Sequence, residues 1–154
     1  MDRVPVRSRV AGPYRRILSA LEPSLALPDV NPSLYSAAGV GLGVIYLVAA
    51  TPAAKIVLIA LMLAADWLDG ATARRYDRCS RSGYLTDVTA DRSSEGFIFA
   101  AEAGAPLGRF FFILWLANVA LSLYSIRSGQ HAVLPLRAAF LIVLAAQVIS
   151  GAML

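Results

Sequence analysis

Five long apolar stretches, each close to the length that crosses a bilayer, constrain this chain more than any other feature. They predict helices over 33–50, 53–74, 83–104, 107–126 and 133–153. A helix rises about 1.5 Å per residue, so roughly 20 residues cover the ~30 Å of hydrocarbon. The links between them are short: Thr51-Pro52, 75–82, Ala105-Pro106 and 127–132. Links this tight make consecutive helices antiparallel neighbours. The expected fold is therefore an all-α membrane protein, a compact bundle of about five transmembrane helices. Composition agrees: 58% of residues are hydrophobic and 16% charged, against roughly 45–50% and about 25% in soluble domains. The net charge of +4 suits nucleic acid or an anionic membrane surface. With this hydropathy the membrane is the better reading, and nucleic acid is not expected as a partner. One cysteine, Cys79, leaves no intrachain disulfide.

Upstream, residues 1–32 form a basic segment with Arg3, Arg7, Arg9, Arg15 and Arg16. Ile17, Leu18, Leu21 and Leu25 recur at helical spacing. They predict an N-terminal amphipathic juxtamembrane helix over 14–27, before a transmembrane catalytic domain over 33–154. No secretory leader pattern is visible. Basic residues near helix ends orient the bundle. The N-terminal arginines, Arg74, Arg75, Arg78, Arg81, Arg127 and Arg137 fall on one side, Lys55 and Arg109 on the other. The first side is expected to be cytoplasmic. Gly39-x-Gly41-x-Gly43 predicts close helix packing without a GxxxG spacing.

Ionised residues interrupt two of the spans. Asp66 and Asp69 lie in the second; Asp87, Asp91, Arg92, Glu95 and Glu102 lie in the third. An Asp at a helix centre costs about 2.5–3.5 kcal/mol on insertion scales, so four cost on the order of 10 kcal/mol before partners are considered. Such residues are functional candidates by default. Asp66 and Asp69 are i, i+3 and share a helix face; Asp87 and Asp91 are i, i+4 and share another, with Gly83 a turn back and Glu95 a turn forward. Asp66 is eight residues from Arg74, roughly 12 Å along the axis, so the acids lie below the cytoplasmic surface. Facing carboxylates repel. Divalent cations relieve that, and all-oxygen ligands favour Mg²⁺ or Mn²⁺. Four carboxylates suffice for two ions, which bind phosphate and spread the charge of a displacement. The structural alternative is a set of ion pairs with Arg74, Arg75 and Arg92. Gly70 and Ala73 keep bulk away from the acids, by packing or to admit a nucleotide. Arg74 presents a fork suited to diphosphate oxygens.

The segment from Asp66 to Asp91, DWLDGATARRYDRCSRSGYLTDVTAD, resembles the CDP-alcohol phosphotransferase signature, D-x₂-D-G-x₂-A-R, eight residues, G-x₃-D-x₃-D. Asp66, Asp69, Gly70, Ala73, Arg74, Gly83, Asp87 and Asp91 all match, and so does the spacing. Asp91-Arg92-Ser93-Ser94-Glu95 looks like the D-R-x-S-E continuation. Residues 32–39 look like the P-N-x-x-T-x-x-G start of the first span, with Ser33 for Asn and Ser36 for Thr.

The resemblance implies an integral membrane phospholipid synthase. A phosphatidyl-type group would pass from a CDP-lipid to a small polar alcohol, with release of CMP. Asp66, Asp69, Asp87 and Asp91 would hold Mg²⁺ or Mn²⁺, two ions, and Asp91 would be the catalytic base. Gly70, Ala73, Arg74, Gly83 and Ser36 would contact the CDP. It also implies a homodimer in the cell membrane, multi-pass, its site open to the cytoplasm and lipid. The family usually has six spans and this chain reads as five. Late basic residues bind the acceptor phosphate in some relatives; Arg127 and Arg137 are the candidates here, with topology signalling as their other reading. Inositol phosphate or glycerol phosphate is the expected acceptor, and serine the alternative. Rival classes are a catalytically silent scaffold of the same fold and a divalent-cation carrier.

Overall fold

The computed structural model describes residues 27–129 and 133–151. The helix expected over 14–27 lies outside these residues except for Leu27. The described residues form five helices: α1 Ser33–Tyr46, α2 Pro52–Arg75, α3 Arg81–Glu102, α4 Pro106–Ser128 and α5 Leu136–Ser150. No strand occurs among the described residues.

Local chemistry sets the ends. Thr51 caps α2, its hydroxyl accepting from the Ala54 N–H at 3.2 Å, and Pro52 follows in the first turn, where its missing N–H costs nothing. Ser80 caps α3 in the same way, accepting from the Gly83 N–H at 3.0 Å. Gly129 stops α4 at φ 69°, a left-handed position that favours glycine.

Two helices are shorter than their apolar runs predicted. α1 has 14 residues and α5 has 15. The run after Tyr46 is apolar but must turn back to reach the Thr51 cap. Residues 133–135 precede the first turn of α5 instead of joining it. Among the described residues, α2 and α4 are the helices both long and apolar enough to cross a membrane.

The helices pack in a ring. α1 sits between α2 and α3, α4 lies against α3, and α5 closes the ring between α4 and α2. α2 and α3, consecutive in sequence, touch little. α1 approaches α3 closely because Gly43 has no side chain: a Cβ there would lie 3.1 Å from the Ser94 Cα. Gly39 and Gly43 are buried while Gly41 faces outward. The buried pair is four residues apart, so the small-xxx-small spacing is present after all. Tyr46, Ile59, Met62, Ile98 and Phe99 are fully buried. The Phe99, Phe111 and Phe140 rings meet at 5.0–5.5 Å and tie α3, α4 and α5 together. Large apolar side chains also cover the outside, among them Val48, Ile113, Ile142 and Ile149.

The two ends of the bundle differ. At one, the Glu102 carboxylate takes Lys55 Nζ at 2.6 Å and the Tyr46 hydroxyl at 2.8 Å, joining α1, α2 and α3. Glu102 thus has a structural role. At the other, Arg78 pairs with Asp29 at 2.7 Å and donates to the Val30 carbonyl at 2.8 Å. Tyr76 donates to the Leu27 carbonyl at 2.7 Å, so the chain before α1 is pinned to the α2–α3 turn. The four signature aspartates lie toward this second end.

Candidate active site

All five helices contribute to one polar cluster. The i, i+3 pair of α2 and the i, i+4 pair of α3 both point inward, as their spacing predicted. Asp66, Asp87 and Asp91 each offer an oxygen, and these oxygens lie within 4.8 Å of one another. The fourth aspartate is not in that group. Asp69 is buried, and its carboxylate accepts from the Ser36 hydroxyl of α1. Ser36, expected at the nucleotide, therefore holds an acid.

α5 supplies the cation. Arg137, in the first turn of α5, is only 5% exposed. Its Nη2 donates to Asp91 Oδ1 and lies 3.7 Å from Asp66 Oδ2. Its Nε is 3.9 Å from Glu95 Oε1. Arg137 is thus turned into the bundle, toward the acids. Arg92 pairs with Glu95 at 2.8 Å and lies 3.9 Å from Asp91. Glu95, 2% exposed, also takes Asn118 Nδ2 at 3.4 Å. Asn118 in turn holds the strand of chain before α5: its Oδ1 accepts from the Leu134 N–H at 2.8 Å, and its Nδ2 donates to the Leu134 carbonyl at 3.0 Å. Buried polar groups need such partners, and here they fix the start of α5 beside the acids.

A small cleft opens over the cluster, lined by Tyr35, Ser36, Met62, Asp66, Asp87 and Arg137 among others. All three converging donors are carboxylate oxygens, a set that suits a hard divalent cation. The remaining motif residues sit along α2 and at the start of α3. A Cβ on Gly70 would lie 3.0 Å from Arg74 Nη1, so the absent side chain leaves room for the Arg74 guanidinium. Ala73 is half-buried and Arg74 exposed. A Cβ on Gly83 would lie 3.1 Å from the Ser80 hydroxyl, so that glycine accommodates the α3 cap. Arg127 is exposed in the last turn of α4, and no ion pair among the described residues joins it to the cluster. Asn118 was missed from sequence, although a lone Asn inside an apolar span was a readable signal.

Helices alone among the described residues, with Asp66 of α2 converging on Asp87 and Asp91 of α3, define an all-α bundle with a carboxylate-lined site. Residues 31–152 match the sequence model of the CDP-alcohol phosphatidyltransferase family. The chain belongs to that family, whose reaction is transfer of a phosphatidyl group from a CDP-alcohol to an acceptor. No curated protein and no solved structure matches it.

Proposed function

We propose that this chain is a multi-pass phospholipid synthase of the cell membrane, joining a CDP-activated lipid to a polar alcohol at a site facing the cytoplasm. The observation that carries the reading is the convergence of Asp66, Asp87 and Asp91 from the two signature helices. The apolar exterior of the ring supports a membrane setting, since lipid solvates Ile149 and Val48 as well as protein would.

In this reading Asp66, Asp87 and Asp91 would hold one Mg²⁺ or Mn²⁺, and Asp69 would add a carboxylate for a second. Bound metal would bind the diphosphate and spread the charge that develops in the displacement. Arg74, folded beside Gly70, reaches outward with a fork that fits phosphate oxygens. Gly70 and Ala73 leave the α2 surface low for the nucleotide, and Gly83 keeps the start of α3 low opposite them. Asp91 takes the proton of the acceptor hydroxyl. The oxygen so freed attacks the phosphorus attached to the lipid alcohol, and the bond to CMP breaks. Arg137 and Arg127 are the candidates for an acceptor phosphate, which favours inositol phosphate or glycerol phosphate over serine. The protein acts as a homodimer.

The test is CMP release by purified protein in nanodiscs, with CDP-lipid, Mg²⁺ or Mn²⁺, and each acceptor in turn. Release requiring metal and one acceptor is expected. Folded protein that releases no CMP with any acceptor refutes the reading. Asp91→Asn should lower the rate about 10²–10⁴-fold, the usual contribution of a general base, while the protein still inserts. An unchanged rate would remove Asp91 from that role.

A further inference from the structure

Arg137 faces two of the three carboxylates that would hold a metal. One nitrogen, Nη2, contacts Asp91 and stands 3.7 Å from Asp66. Both carboxylates belong to the three whose oxygens lie within 4.8 Å of one another. A guanidinium and a divalent cation repel, and both draw on carboxylate lone pairs. Arg137 is also held from its other side. Its Nε faces Glu95 at 3.9 Å, and Glu95 is fixed by Arg92 and Asn118. The fork can therefore leave Asp91 while its Nε end keeps a carboxylate partner.

We propose that Arg137 is the internal counter-cation of Asp91 and Asp66, and that a divalent cation binds these acids in competition with its guanidinium. The inference rests on the metal reading above. It makes two events one: filling the site and releasing an arginine fork toward the cleft.

Mn²⁺ binding to purified protein without substrate measures the competition directly. Arg137→Gln should bind Mn²⁺ at least tenfold more tightly than the unaltered chain, and Arg137→Lys should fall between. Arg109→Gln, the same charge change on the exposed start of α4, should leave binding unaltered. Equal or weaker binding by Arg137→Gln overturns the inference. A second measurement needs no variant. Reaction of Arg137 with an arginine-selective dicarbonyl, read on its own peptide by mass spectrometry, should be severalfold faster with Mn²⁺ than without. An unchanged rate alongside demonstrated Mn²⁺ binding overturns the inference while leaving the metal site standing. Absence of Mn²⁺ binding in every variant overturns the metal site itself, and the inference with it.

Discussion

Asp66, Asp87 and Asp91 were legible from sequence because helix geometry alone brings i, i+3 and i, i+4 residues to one face. Two such faces in a small bundle leave few ways to avoid meeting. Asp69 shares the face of Asp66 but belongs with Ser36, and which neighbour an acid turns to depends on the rotation of α1, which spacing does not encode. Arg137 was legible as a candidate and not in its placement, since its partner Asp91 lies 46 residues earlier. At this scale the acids can be separated by substitution. Asp87→Asn should abolish metal-dependent CMP release without loss of folded protein, measured as turnover beside the thermal unfolding of each variant. Asn118→Leu should act differently. It leaves the Leu134 N–H and carbonyl without their side-chain partner, so stability should fall by about 1–3 kcal/mol, seen as a lower unfolding temperature in detergent.

Among the elements, the existence and order of five helices followed from apolar runs and short links, and so did the lengths of α2, α3 and α4, while those of α1 and α5 did not. An apolar run marks what lipid or core will accept; a helix ends where a cap or a turn requires it, as Thr51 and Gly129 show. The glycines of α1 give a paired test. Gly43→Ala places a methyl 3.1 Å from the Ser94 backbone, which cannot yield as a flexible side chain would. The expected cost is about 1–3 kcal/mol. Gly41→Ala meets nothing within 4 Å and gains helix propensity, roughly 0.5–1 kcal/mol. Thermal unfolding of both variants in one detergent should move in opposite directions. A matching loss in both would mean that α1 does not cross α3 at Gly43.

For the whole molecule, basic residues beside the helix ends predicted which end faces the cytoplasm, and the chain carries its own reporter. Cys79 is its one cysteine and is exposed in the turn between α2 and α3. In intact cells a membrane-impermeant maleimide should leave Cys79 unlabelled, and permeabilisation should label it fully. Labelling of intact cells would invert the orientation. The ring order was not legible, because link length makes neighbours in sequence look like neighbours in space, whereas α1 separates α2 from α3 and α5 closes the circle. That closure bears on how the protein is made. The ribosome delivers both acid faces first and the arginine that neutralises them 46 residues after Asp91, an interval of about 2–9 s at ordinary synthesis rates. During that interval the nascent chain holds acid faces with no arginine from α5 between them. The charge balance of the interior is thus complete only once α5 is in place, and a ribosome stalled before α5 would leave Asp66 and Asp91 without Arg137.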